Sequence, residues 1–390
     1  MGRIKKRQVV YISGTRADYG LMRSTLREIS HTKALSLSIL VTGMHLAHEF
    51  GYTVNEIRRD GFRIYAKIPS LRKEDTGAGM LRSFSSFLTD LVNVLEHRER
   101  PDLMLLLGDR WEMLAGAMAG AYMNILVAHI HGGELTGSVD EPNRHAITRF
   151  SHLHLVATKQ HANLLLRLGE EPSRIHIIGS PGIDDIVSRT YSPLDTVTHK
   201  YGIDPRSPHI LLVQHPVVTE HELAAAQIKS TLRAIERTGY RTTAIYPNAD
   251  AGGREMIKVM RRFSKRNNLI RLYRNITRSD YLGLMACANM IVGNSSSGII
   301  EAASFRLPAV NIGTRQQGRV HPRNVIDVDY SETQIYAAMR KAMTPSFLAR
   351  MKGMSNPYGS GGTSVKVARI LSRVKTTPTL LQKRLTFKME

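Results

Sequence analysis

Short apolar runs alternate with longer amphipathic stretches along the chain. VVYISG (9–14) leads into RADYGLMRSTLREIS, LSILVTG (37–43) into MHLAHEFGYTVNEIRRDG, and DLMLLLG (102–108) into DRWEMLAGAMAGAYM; ILVAHIHGG (125–133) and HLHLVAT (152–158) follow. Strand, loop, helix, strand in this order predicts a parallel sheet with helical crossovers. LMLLL is apolar at every position, as a strand buried on both faces should be. A second cycle begins after HIIGSPGIDDI: HILLVQHP (209–216), TTAIYPNAD (242–250), NLIRLY (268–273), MIVGNSS (290–296) and PAVNIG (308–313) repeat the theme. The fold class expected is α/β, two doubly wound Rossmann-like domains facing a central cleft.

The join lies near 185–200, where SRTYSPLDTVTHKYG reads as a linker opening into a helix. The expected division is an N-terminal domain over 1–190, a C-terminal domain over 191–375, and a tail over 376–390 with no order expected of it. SVKVARILSRV, after the loop NPYGSGGT, predicts the last helix of the second domain.

A length of 390 residues agrees with two cores rather than one. The single cysteine, Cys287, excludes an internal disulfide and fits a reducing cytoplasm. The N-terminus reads as a first strand, not a signal peptide, and no apolar run reaches the ~18 residues of a membrane span. Lys and Arg number 54 against 33 acids, a net charge of +21, which raises nucleic acid as a partner. The charge is spread over distant segments, two of them at helical spacing, and aromatics are 6%. Solvated helix faces and attraction of an anionic substrate account for it better, so nucleic acid is disfavoured.

No GxGxxG follows the first strand and no GxxxxGK[ST] occurs, so neither a dinucleotide fingerprint nor a P-loop is supported. His45 and His48 in HLAHE have helical spacing but lack the HExxH order and any cysteine partner; they read as an ordinary helix face, and no metal is expected.

Chemistry is expected beyond the strands' carboxyl ends, where open α/β sheets bind ligands. SGTRADYG offers Arg16 as a phosphate clamp. GDRWE offers Asp109 and Arg110, and HIHGGELTGSVDEPNRHAITR gathers His131, Glu134, Asp140, Arg144 and His145. GNSSSGIIEAASF reads as a loop whose helix N–H groups cradle a phosphate beside Ser295 and Ser296, with Glu301 placed to accept ribose hydroxyls. Each has a plain structural reading: a loop salt bridge, a turn, a surface pair, an N-cap. Four such loops at one end of their strands favour a ligand site, with a diphosphate on the second domain and acid–base groups on the first.

GTRADYG, GDR and HIHGGELTGSVDEPNRHAITRFSHLH, followed in order by QHPVVTE, PNADAGG, GNSSSGIIEAASF, NIGTRQQGR and NPYGSGG, resemble the hydrolysing UDP-N-acetylglucosamine 2-epimerases, in particular the sialic-acid branch, over about residues 8–375. The resemblance implies a glycosyltransferase-B-like fold and a UDP-sugar substrate. It implies no metal or redox cofactor, a homodimer or homotetramer, and release of N-acetylmannosamine and UDP through a glycal. It carries Asp109 and Asp140 to proton chemistry and His215 to the departing diphosphate. Arg16, Arg110, Arg144 and Arg315 fall on phosphate or sugar oxygens. Asn248, Ser295, Ser296 and Glu301 fall on UDP, and His45 on the substrate side of the cleft. His131 stands where well-known members have glutamate, so His131, Glu134 and Asp109 all remain open as the C2 base. Leu21 stands where some relatives have lysine. UDP-N,N'-diacetylbacillosamine or a GDP-linked sugar stays open as donor, and so does a nucleotide-sugar or nucleic-acid binding protein without turnover.

Overall fold

Seven strands form the first sheet of the computed structural model, which describes residues 6–386. They are β1 (Arg7–Ser13), β2 (Leu35–Thr42), β3 (Ile64–Ile68), β4 (Leu103–Leu107), β5 (Leu126–Ile130), β6 (Leu153–Val156) and β7 (Ile175–Ile177). All pair in parallel, in the order β3-β2-β1-β4-β5-β6-β7. The second sheet holds β8 (His209–Val213), β9 (Arg241–Ile245), β10 (Ile270–Tyr273), β11 (Met290–Gly293), β12 (Ala309–Ile312) and β13 (Val325–Val328), ordered β10-β9-β8-β11-β12-β13. The double winding agrees with the expected fold class.

Burial explains which strands the pattern announced. Leu103, Leu105 and Leu107 of β4 enter one core and Met104 and Leu106 the other. Successive side chains leave opposite faces, so a run apolar throughout is covered twice. The pattern did not announce β3, β7 and β13, which are sheet edges with half-buried or exposed positions that break the run. The helix Gly77–His97 was also unannounced; it covers the β4 face that receives Met104 with Phe87, Leu91 and Leu95.

Three expectations are corrected here. HLAHE is no helix: Gly43–Leu46 and His48–Phe50 are two short 3-10 turns. The helix Thr363–Arg373 returns to the first domain, where Val367, Ala368 and Leu371 pack with Met22, Leu26 and Ile29 of the helix Arg16–His31. Its apolar stripe finds its cover there rather than in the second domain. The segment after it is docked as far as it is described: Arg174 donates to the carbonyls of Leu380 at 2.5 Å and Thr379 at 3.0 Å, and Thr386 N–H donates to Gly169 at 3.0 Å.

Both sheets reverse strand order beside their first strand, β1 against β4 and β8 against β11. Such reversals open a crevice at the strands' carboxyl ends, and the loops leaving these strands line one cleft between the domains.

Candidate active site

The cleft encloses about 1290 Å³, open mouth included, ample for a nucleotide sugar. Of the candidate site residues, all but His45 and His145 line it. Thr15 accepts the Asp18 N–H while Asp18 accepts the Thr15 N–H at 2.7 Å, a capping box that sets Arg16 as the first helical residue at the cleft. Asp109 and Arg110 follow β4, His131 to Asp140 follow β5, His215 follows β8, Asn248 follows β9, Ser295 and Ser296 follow β11, and Arg315 follows β12.

The N-terminal wall is a set of buried ion pairs. Asp109 pairs with Nη2 of Arg144, whose Nη1 donates to the Glu134 carbonyl at 2.8 Å and to Thr136 Oγ1 at 3.3 Å. Arg144 is 1% exposed, and its guanidinium orients Asp109 in the wall of the cleft. Burial pushes the Asp109 carboxyl up, but Arg144, then Arg319 and Arg315, outweigh it and hold it below the usual carboxylate range. Asp140 goes the other way: burial and the nearby Asp109 charge raise it against Arg315, which lies 3.3 Å away. Two carboxylates whose environments push them apart are suited to different protonation states in one reaction.

Glu134 is 1% exposed and faces Arg319 at 2.8 Å, His131 Nδ1 at 3.4 Å and His161 Nδ1 at 3.9 Å. Burial opposes its ionisation, but Arg319 and the histidines prevail and hold it at about 2. His131 is pushed down, chiefly by burial, so its ring is neutral near pH 7. Its Nε2 is buried without a hydrogen-bond partner among the described residues, and its φ of +67° is left-handed. Such a conformation in a non-glycine residue costs ~1–3 kcal/mol and gathers at functional sites.

The C-terminal wall is built of backbone, amide and hydroxyl groups. His215 Nδ1 accepts the Asn248 N–H at 3.0 Å, and its backbone N–H donates to Asn294 Oδ1 at 2.7 Å. Burial, then Arg315, Arg110 and Arg16, drives this ring well below its usual value. Gly293, at φ +126°, brings β11 so near Val213 that a Cβ would lie 2.1 Å from its carbonyl oxygen. That turn delivers Ser295 and Ser296 to the short helix Ser297–Ile300, and Glu301 stands at the break before the helix Ala302–Phe305. Glu301 pairs with Arg278.

Arg319, Glu112, Asp250 and Arg278 are the functional candidates that motif reading passed over. Arg319 ends the quoted NIGTRQQGR and Glu112 ends GDRWE, so both stood in view. Glu112 holds Arg110 through contacts of 3.0 and 3.2 Å, and Arg110 reaches Asp250 across the cleft at 3.3 Å. The tight packing at Gly14, where a Cβ would sit 2.6 Å from Glu112 Oε1, lets this carboxylate lie beneath the loop. His145 is off the cleft, 3.9 Å from Glu141. His45 is fully buried, its Nε2 2.9 Å from Ser13 Oγ and its Nδ1 2.7 Å from Thr53 Oγ1; it does not line the cleft and braces the loops behind its wall. Among the described residues no group of three or more His, Cys, Asp or Glu side chains could hold a metal, and no helix is long and apolar enough to cross a membrane.

Two parallel α/β domains, one wall titratable and the other set with hydroxyls and N–H groups behind a strand, define a nucleotide-sugar enzyme. The chain matches the model of the UDP-N-acetylglucosamine 2-epimerase family over residues 27–372 and belongs to that family. It is 40% identical over 377 residues to the UDP-N,N'-diacetylbacillosamine 2-epimerase (hydrolyzing) of Legionella pneumophila, covering 97% of this chain and 98% of that one. To the UDP-N-acetylglucosamine 2-epimerase of Neisseria meningitidis serogroup B it is 35% identical over 337 residues, covering 86% and 87%. The fold is shared with a Neisseria meningitidis UDP-GlcNAc 2-epimerase bound to UDP-GlcNAc, at TM-score 0.75 and 20% identity over 93% of this chain and 99% of that one.

Proposed function

We propose that the chain hydrolyses a UDP-linked 2-acetamido sugar with inversion at C2, releasing UDP and the free 2-epimer. The separation of Asp109 and Asp140, one carboxyl pulled down and the other pushed up beside a histidine with a free ring nitrogen, carries this reading. Asp109 and Glu134 are engaged by Arg144 and Arg319, whereas the neutral His131 ring keeps Nε2 without a partner, which favours His131 among the three residues left open by the sequence. His131 Nε2 takes the C2 proton, the C2–H electron pair forms the C1–C2 double bond, and the C1–O bond breaks with its electrons leaving on UDP. Water then adds its oxygen to C1 while Asp140 delivers a proton to C2 from the opposite face, and its other proton returns to solvent. Acid–base groups positioned in this way supply ~10²–10⁴-fold in rate. Arg16, Arg315 and His215 stabilise the charge that develops on the diphosphate, and Asn248, Ser295, Ser296 and Glu301 hold the nucleotide.

The sequence put UDP-N-acetylglucosamine first as donor. The relative named for UDP-N,N'-diacetylbacillosamine is the more similar of the two and spans both chains almost completely, which moves that donor ahead. UDP-N-acetylglucosamine is the second reading, supported by the Neisseria meningitidis relative. The protein acts in the cytoplasm as a homo-oligomer with no added cofactor. Proton NMR in heavy water with each donor tests the reading: UDP and a free 2-epimer bearing deuterium at C2 are expected, with the bacillosamine donor consumed faster. An epimer still linked to UDP, or protium retained at C2, overturns the mechanism, and silence with both donors leaves a binding protein.

A further inference from the structure

The segment that ends the described chain closes on the far end of the helix that carries the N-terminal wall. The helix Asp140–Phe150 presents Asp140 at its first turn and Arg144 one turn on. A helix leaves its last carbonyls without intrahelical partners, and a cation there is favourable. Lys383 Nζ meets this end, donating to the Thr148 carbonyl at 2.5 Å and the Arg149 carbonyl at 3.2 Å. The same ammonium lies 2.7 Å from Glu170, a fully buried carboxylate that also receives Arg149 at 2.9 Å and His154 Nε2 at 2.9 Å. Arg174, 2% exposed, holds the preceding turn by its carbonyls. The Lys383 contacts join residues more than two hundred positions apart and hold one end of a rigid rod of about 16 Å, whose other end meets Arg315 through Asp140.

We infer that Lys383 is a positioning residue: through the C-terminal end of the helix Asp140–Phe150 it sets where Asp140 and Arg144 stand in the cleft. The inference rests on the role given to Asp140 under the proposed function. It assigns the chain beyond Lys375 a task in the reaction without contact to substrate. The groups facing Lys383 are Glu170, His154 and His152 with Arg149 and Arg174. Burial pulls the lysine down to about 8 against the pull of Glu170, so its charge is lost just above neutrality while an arginine in its place would keep it.

Lys383→Met and Lys383→Arg, compared with the unaltered chain, test this by steady-state kinetics, UDP affinity, pH profile and amide exchange. Lys383→Met is expected to lower kcat about tenfold with KM and UDP affinity within twofold, and to speed exchange at residues 147–151. Lys383→Arg should keep most of the activity and remove a fall in rate that the native protein shows as pH rises past about 8. Unchanged kcat in Lys383→Met, or equal loss of kcat and UDP affinity, overturns the inference. If the native protein turns over neither donor, the proposed function fails on its own, and exchange still decides the clamp: unchanged protection at 147–151 sinks it.

Discussion

The two walls of the cleft solve opposite problems. The N-terminal wall carries Asp109, His131, Glu134 and Asp140, groups that can move protons, and almost every one is buried against a charge. The C-terminal wall carries His215, Asn248, Ser295 and Ser296, which are dipolar near neutrality, with Glu301 and Asp250 as paired carboxylates. Reaction needs groups with shifted affinities for protons, and binding needs groups with fixed ones. The contrast is not a clean partition, because Arg315 and Arg319 extend from the second domain to Asp140 and Glu134. The C-terminal domain therefore contributes to the proton affinity of acids that the N-terminal domain presents, holding Glu134 down through Arg319 and opposing the rise of Asp140 through Arg315.

Breaking the reactive wall should have the largest effect. Asp140→Asn removes a proton donor while keeping shape and the Arg315 contact, and kcat is expected to fall about 10³-fold. UDP affinity should stay within about threefold, well under the ~1.4 kcal/mol of a tenfold change. Measured together, turnover and UDP titration separate the walls; equal losses would mean that the acids also hold the nucleotide.

The contacts across the cleft come next. Arg319→Gln leaves Glu134 buried beside weaker partners, and losing one member of such a pair costs ~3 kcal/mol. Glu134 is held at about 2 in the fold against its ordinary 4.5, so its contribution is present above about 4.5 and is lost as pH falls towards 2. Urea unfolding should therefore show a larger gap between variant and native protein at pH 7 than at pH 3. A gap independent of pH would remove Arg319 as the group that keeps Glu134 charged.

Loosening the binding wall should cost less. Glu301→Gln keeps a hydrogen-bonding side chain but weakens the hold on ribose hydroxyls and the pairing with Arg278. Calorimetric UDP affinity is expected to fall about tenfold, ~1.4 kcal/mol, with kcat at saturation changed less than twofold.

How far the sequence announced all this depends on burial. Strands covered on both faces, such as β4 and β11, declare themselves by unbroken apolar runs, and the residues following them could be placed at one end of a sheet. Edge strands such as β3 and β7 do not, because half-buried or exposed positions interrupt the run. The cleft residues were legible through their motifs; their pairings were not. Nothing in the local sequence of Arg144 says that its guanidinium is spent on Asp109, 35 positions away. Nor does the polar segment after Lys375 show that Lys383 will find Glu170, since the attraction depends on a third-dimensional neighbour.

The smallest effect separates scaffold from chemistry inside the N-terminal wall itself. His45 was expected on the substrate side of the cleft and lies behind the residues that line it, held by Ser13 and Thr53. Burial lowers it to about 4, and His129, His152 and His161 are likewise held at about 3 to 4, while the second domain has His209 at about 4 and the depressed His215. An unfolded histidine takes up a proton near 6.5, so each such group withdraws stability as pH falls from about 6.5 to 4. The N-terminal domain holds more of them, and amide exchange at pH 5 should rise there first. His45→Gln should cost ~1 kcal/mol at pH 7 by thermal melting, with kcat within twofold. Because glutamine does not titrate, the difference in melting temperature should narrow between pH 7 and 5. A variant that instead lost turnover with its melting temperature intact would return His45 to the substrate and make the wall deeper in chemistry than its geometry implies.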